Sequence, residues 1–328
     1  MPLSALLRWT GGGPLVVYYH SITNSPPPHV SGLYRGRTIR EFEDDLDYLL
    51  REFHPISLAT LRGIVSGEAV CPEKAFLVTF DDGLRETAEN VAPILSSKGL
   101  ETVFFASSGF LENTDLSYRF KVSLILNRLR EQSPGPLALQ ELGRLLPSSI
   151  EASGSVEERL LSIQYAERGV LDRAAELVDL DFRDYLSAQR PYLGRTELID
   201  LQKRGFHVGA HSVDHPPYAA LSVAEQLIQT RTSCSVIAAL TGAARVHFAF
   251  PFSAVGVSAA FYQSLAEEQV VDLFFGTSGW THNFRRRLVS RVSFEGNRLS
   301  APGHVRQTMA RSIMDRGRSA LLGGQART

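Results

Sequence analysis

The sequence predicts an α/β fold: a distorted (β/α) TIM-like barrel of about seven strands with a helical insertion. Three observations carry this. Short runs rich in Val, Phe, Leu and Tyr recur along the chain, and most are continuous rather than alternating. Such runs suit strands buried on both faces of a parallel sheet or barrel. Stretches with helical punctuation separate them. The polar candidates for chemistry fall just after strand ends: Asp81 and Asp82 after one, His211 and His215 after another, Pro251 and Phe252 after a third. In barrels, chemistry gathers at that end of the strands.

In chain order, the strands are expected at Leu15–Tyr19, 76–80, Thr102–Ala106, His207–Ala210, 246–250, 272–275 and 288–294. Thr38 and Glu41 have capping-box spacing, and Ile39, Phe42, Leu46, Leu49 and Phe53 follow as an apolar stripe. Residues 85–98 read as a helix stopped by Gly99. Ser222 and Glu225 form a second capping box, opening a helix that runs toward Leu240 and Gly242. Residues 115–189 show helical patterning, with Leu124, Leu126 and Leu129 in one helix and Leu160, Leu161 and Ile163 in another, and no convincing strand. The expected division is a barrel from 1–114 and 190–300, a helical insertion at 115–189, and a C-terminal helix and tail at 301–328. The insertion either covers apolar surface or acts as a lid or recognition element.

The 328 residues, 44% of them hydrophobic, are ample for one large core. A net charge of −1 gives no support for a nucleic-acid partner. Cys71 and Cys234 are far apart and imply no disulfide framework. Residues 1–19 do not look like a secretory signal, because Arg8 interrupts a short apolar run. The longest weakly charged stretch, 248–262, falls short of the ~20 residues a membrane span needs. The expected location is cytoplasmic, with peripheral membrane contact through the basic helix at 304–322 as the alternative. Oligomeric state is not legible in the sequence.

The pentapeptide Thr79-Phe80-Asp81-Asp82-Gly83 is the sharpest chemical signal. Two adjacent carboxylates at the mouth of a core strand are costly unless a positive charge lies near. His211 and His215 lie four apart, but Pro216 and Pro217 follow at once, so a tight loop is expected rather than a helix. Two imidazoles, one carboxylate and an open position make a standard catalytic zinc site, and Asp82 is the candidate carboxylate. A carboxylate beside it, Asp81, is the candidate general base. Taken alone, the pair also fits a turn-forming Asp-Asp-Gly with solvated charges.

Together these motifs resemble the polysaccharide deacetylases, the NodB-homology group of carbohydrate esterase family 4. The pentapeptide looks like that family's first motif. His211-Ser212-Val213-Asp214-His215 matches its second, and Phe250-Pro251-Phe252 is similar to its third. The resemblance covers about residues 15–296 outside the insertion. It implies a distorted barrel, a divalent metal (most often Zn2+, with Co2+ as an alternative) on Asp82, His211 and His215, and Asp81 as the base. It also implies an oxyanion contact at the Phe252 N–H beside Pro251, and hydrolysis of an N-acetyl group from a glycan or glycoconjugate with release of acetate.

The sequence departs from the family in two places. The motif arginine before the aromatic is absent, its position being Ala249, and Arg291 on the last strand is the candidate replacement. The usual leucine-x-histidine after Trp280 is not found. Val17-Tyr18-Tyr19-His20 resembles the exopolysaccharide-deacetylase branch instead, which makes His20 the candidate general acid. Trp280 is expected to flank the acetyl pocket or to be ordinary core. His282, Asn283 and Arg285 are expected to form an ordinary polar loop, with glycan contact as the alternative, and His247 is expected to be structural. The competing readings are a hydrolase of another C–N amide or imide bond on the same fold, and a degenerate chain that binds glycan without turnover.

Overall fold

The structure is a computed structural model that describes residues 13–132, 134–147, 154–280 and 284–324, with side chains through 314. Nine strands form one sheet: β1 Leu15–Tyr19, β2 His54–Pro55, β3 Ala75–Phe80, β4 Thr102–Ala106, β5 His207–Ala210, β6 Val246–Ala249, β7 Val271–Gly276, β8 Leu288–Ser290 and β9 Val292–Ser293. The order is β8-β7-β6-β5-β4-β3-β1-β9, with β2 beside β3, and every pairing is parallel.

The expected strand at 288–294 is in fact two strands. β8 pairs with β7 at one edge of the sheet and β9 pairs with β1 at the other. Only Arg291 separates them, so this one residue carries the chain across the seam and brings the two edges together as a nearly closed barrel. The path therefore has eight strands instead of about seven. β2 was not expected either. It is two exposed residues whose register comes from His54 N–H donating to the Lys74 carbonyl, a tertiary contact with no local hydrophobic signature.

Both faces of each main strand are buried, which explains the continuous apolar runs. One alternating set packs together: Val16, Leu77, Val103, Phe105, Ala249, Leu273, Phe275 and Val289, with Leu58, Leu61 and Ile64 from helix Leu58–Ser66. The opposite set, including Val17, Val78, Phe104, Val208 and Phe248, packs with the surrounding helices. Helix Ile39–Glu52 starts at the predicted Thr38–Glu41 capping box and buries Phe42, Leu46 and Leu49. The helical stretch after β3 contains a π-turn, Thr87–Val91, in which the Ala92 N–H reaches back to Thr87 O. Pro93, which has no N–H to give, follows immediately. Helix Val223–Thr241 starts at its Ser222–Glu225 capping box.

Between β4 and β5 run helices Tyr118–Glu131, Pro136–Leu145, Val156–Ser162, Leu171–Glu176 and Phe182–Gln189. They share a separate apolar cluster that includes Leu124, Leu126, Leu142, Leu160, Ile163 and Leu171. Ser123 Oγ and Asn127 Nδ2 both donate to the Pro28 carbonyl, at 2.6 and 2.8 Å, which ties these helices to the short helix Pro28–Ser31 that follows β1. Among the described residues no helix is long and apolar enough to cross a membrane, and both cysteines are free.

Gly209 of β5 leaves room for the Phe105 ring. A Cβ there would stand 2.4 Å from a ring carbon and 2.9 Å from the His247 carbonyl. Gly209→Ala is expected to lower unfolding free energy by about 1–3 kcal/mol through overpacking, as read by chemical denaturation with far-UV circular dichroism.

Candidate active site

The site begins where β3 ends. Asp82 and Gly83 both have positive φ, 68° and 64°, so the chain reverses in two residues. Asp81 points into the barrel while Asp82 points across to the histidine loop. At Gly83 a Cβ would also lie 2.9 Å from Ala106 Cβ and 3.1 Å from Ala106 Cα, so the turn requires glycine on two counts. Left-handed backbone recurs at Ser212, His215 and Phe252. Strained conformations of this kind persist where surrounding structure over-determines them.

Asp81 is held by Arg291 in a two-point pair. One guanidinium nitrogen lies 2.7 Å from Oδ1 and the other 2.8 Å from Oδ2. Arg291 also donates to Thr79 Oγ1 at 3.1 Å and to the Gly276 carbonyl at 3.3 Å. The rings of Tyr18 and Phe105 flank it at 4.8 and 5.4 Å. Burial alone pushes the Asp81 carboxyl up, but the adjacent guanidinium and then His211 outweigh it, so the group stays ionised below its usual range. The position opposite, Ala249, carries no charge. Its carbonyl accepts a hydrogen bond from His211 Nδ1 at 2.9 Å.

That bond sets the His211 tautomer. With Nδ1 donating, Nε2 is the free lone pair, and it faces Asp82 Oδ1 at 3.5 Å. His215 Nε2 faces the same oxygen at 3.2 Å. One ligand atom from each of Asp82, His211 and His215 lies within 4.8 Å of the others. The loop is not helical, as the two prolines require, and the His215 N–H donates to Ser212 Oγ at 3.0 Å. Two imidazole nitrogens and one carboxylate oxygen, all at one cavity wall, fit a three-ligand divalent site with an open position. Burial raises the Asp82 carboxyl, but the pull of His215 and then of His211 more than reverses this and holds it well below its usual range.

The histidine loop is braced from outside. Asp214 accepts from Tyr165 OH at 2.5 Å and from Gln229 Nε2 at 2.6 Å. Gln229 Oε1 accepts the Val213 N–H at 2.9 Å. Tyr165 belongs to the helical segment between β4 and β5, and Arg168 lies over its ring at 3.8 Å.

On the other side stands His20, just past β1. Its Nδ1 and its backbone N–H both meet Glu295 Oε2, at 2.7 and 2.8 Å. Burial opposes a charged ring. The Glu295 bond and charge, helped by Asp82 and Asp81, override it and push His20 up to about 9. Glu295 is buried and is not among the residues expected at the site. The available signal was an acid lodged between Phe294 and Gly296 at a strand end.

These groups open on a cavity of about 360 Å³. Besides Asp81, Asp82, His20, His211, His215 and Phe252, its walls include Tyr18, Tyr34, Ser117, Arg119, Phe120 and Thr277. Phe252 has φ 57° and is 45% exposed, with its ring 4.8 Å from that of His215. Its carbonyl accepts from Thr277 Oγ1 at 2.7 Å. Pro251 is buried and does not line the cavity.

Trp280 does not flank the pocket. Its indole N–H donates to the Gly13 carbonyl at 3.0 Å and its ring packs near Phe53, so the loop after β7 turns it into the helix-facing core. His282 and Asn283 lie outside the described residues. Arg285 sits in the short turn that leads into the start of β8, at the opposite strand end from the site. His247 faces Asp272 at 3.8 Å, away from the cavity.

The barrel gathers at one end of its strands a candidate three-ligand metal site, a paired carboxylate and a paired imidazole. The model for the polysaccharide deacetylase family matches residues 183–267, a segment that holds His211, His215, Pro251 and Phe252. Asp81 and Asp82 lie outside that segment, before β4 and the helices that follow it. Among solved structures, the Streptococcus pyogenes deacetylase PplD in complex with acetate is similar at 13% identity and TM-score 0.57, over 90% of this chain and 97% of that one. IcaB from Ammonifex degensii is similar at 15% identity and TM-score 0.57, over 91% and 98%. The BpsB deacetylase domain from Bordetella bronchiseptica is similar at 13% identity and TM-score 0.51, over 87% and 96%. Likeness at such identity speaks for the fold. The comparison with curated proteins finds no match. The match to the polysaccharide deacetylase family thus covers residues 183–267, and the likeness of the whole chain to these solved deacetylases is one of fold.

Two expectations follow from the bracing. Arg291→Ala strands a buried carboxylate and is expected to cost about 3–5 kcal/mol of stability, seen as a lowered denaturation midpoint. Tyr165→Phe removes one support of the histidine loop. It is expected to weaken the affinity of the candidate site for a divalent cation by about 10-fold or more, measured by chelator competition, with the circular dichroism spectrum unchanged.

Proposed function

We propose that the protein is a metal-dependent N-deacetylase acting on a surface or envelope polysaccharide, its lipid-linked precursor or a glycoconjugate, with release of acetate. The carrying observation is the convergence of Asp82, His211 and His215 on a cavity flanked by a paired carboxylate, Asp81, and a paired imidazole, His20. A divalent cation bound there, zinc or cobalt, supplies Lewis-acid chemistry that acidifies water and polarises the acetyl carbonyl. In this reading Asp81 takes the proton of the attacking water, while Arg291 aims the carboxylate and keeps it ionised. The Phe252 N–H donates to the oxygen that gains charge. His20, held by Glu295, gives its proton to the departing amine so that the C–N bond can break. The acetate held by the S. pyogenes deacetylase of like fold supports this product assignment.

The test is acetate release from N-acetylated oligosaccharides and lipid-linked intermediates with added zinc or cobalt, and its loss on chelation. Asp81→Asn and His20→Ala are each expected to lower kcat by about 10²–10⁴-fold while metal content stays near wild type. Undiminished turnover in either variant overturns that residue's role. His20 must be protonated to act, so activity falls as pH rises through its pKa. That value is about 9 without metal, and a cation on Asp82 moves it lower by cancelling part of the carboxylate pull. Glu295→Gln removes the main raising partner and is expected to shift the alkaline limb of the pH–kcat profile to lower pH.

A further inference from the structure

We propose that Arg119 and Tyr34 form a subsite for an anionic group on the glycan next to the reacting N-acetyl sugar. The preferred substrate is therefore an acidic or phosphate-bearing N-acetylated glycan. This rests on the deacetylase reading above and adds a substrate class to it.

The argument is a charge ledger of the cavity walls. Asp81 is paired with Arg291, His20 with Glu295, and Asp82 with the two histidines. Arg119 is the exception. It is part-buried on the first turn of helix Tyr118–Glu131 and lines the same cavity. One of its five N–H groups donates to the Leu161 carbonyl at 2.8 Å, and among the described residues it meets no carboxylate. A guanidinium left this way has unused donors in the planar fork that suits carboxylate and phosphate oxygens.

Tyr34 is a second and independent observation. It comes from the loop after β1, and its ring lies 5.3 Å from that of His20. Tyr34 lines the cavity, and its hydroxyl, buried behind that wall, has no partner among the described residues. A buried hydroxyl without a partner is costly, and a ligand oxygen removes that cost. Among the lining residues the unpartnered groups are thus donors, the spare N–H groups of Arg119, the Tyr34 hydroxyl and His215 Nδ1, while Asp81 and Asp82 are already engaged. That pattern selects an acceptor-rich anion. A uronate carboxylate and a sugar phosphate share this chemistry.

The experiment compares three substrates with zinc-loaded enzyme: a neutral N-acetylglucosamine tetramer, a tetramer alternating with glucuronate, and a tetramer bearing a reducing-end phosphate. Wild type is expected to favour one of the anionic substrates by 10-fold or more in kcat/KM, through KM, and to lose the preference as salt rises. The arm that gains identifies the source of the anion. Arg119→Gln is expected to reduce the anionic-to-neutral ratio by at least 10-fold, and Arg119→Lys to restore part of it. Tyr34→Phe is expected to reduce the ratio less. A ratio near one in wild type, or one unmoved by Arg119→Gln, overturns the subsite. Should wild type release no acetate from any of the three, the deacetylase reading fails instead. Calorimetric binding of the same two anionic tetramers to wild type and Arg119→Gln then decides the subsite alone: tighter binding by wild type supports it, and equal binding overturns it.

Discussion

The ion pair between Arg291 and Asp81 is the constraint on which the rest of this structure depends. Both side chains are almost wholly removed from water inside the barrel. Two charges there are tolerable only with close geometry and with their remaining donors and acceptors satisfied. The two-point contact, the Thr79 hydroxyl and the Gly276 carbonyl meet that condition. Arg291 is also the residue at which β8 gives way to β9. The contact that aims the carboxylate is therefore the one that ties β3 to the seam where the sheet closes on itself. Under the proposed mechanism stability and chemistry share this one interaction, so neither can be altered alone.

The remaining site groups are held by the same principle of paired supports. His211 is fixed through the carbonyl of Ala249, and the histidine loop through Asp214. His20 is held through Glu295. Each support comes from a different part of the chain, and left-handed backbone at Asp82, Ser212, His215 and Phe252 marks where the chain is bent to meet them. The helices between β4 and β5 are part of this arrangement. They bring Tyr165 to the histidine loop, and they bring Ser117, Arg119 and Phe120 to the cavity. They thus brace the histidine loop and supply part of the cavity wall, besides covering apolar surface.

Much of the fold was legible in the sequence, for a physical reason. Strands buried on both faces must be apolar at nearly every position, so β1, β3, β4, β5, β6 and β7 announce themselves within one residue or so of their ends. The capping boxes at Thr38 and Ser222 work through contacts three residues apart and are equally local. β2 was not legible, since two exposed residues including a proline carry no pattern. The break between β8 and β9 was not legible either, because it depends on which distant strand each half meets.

The candidate site divides the same way. Asp81, Asp82, His211 and His215 were recognisable because their chemistry demands particular residue types at short spacing. Composition and motif order by themselves determined a parallel α/β barrel, a candidate three-ligand site and the absence of an arginine at position 249. Only the tertiary structure decided that Arg291 reaches Asp81 from some two hundred residues away, that Glu295 holds His20, and that Trp280 faces the core instead of the pocket. Such pairings obey distance in space. Burial makes an unpaired charge or donor costly, so the partner is whichever group the closed barrel brings within reach, and sequence spacing carries no record of it.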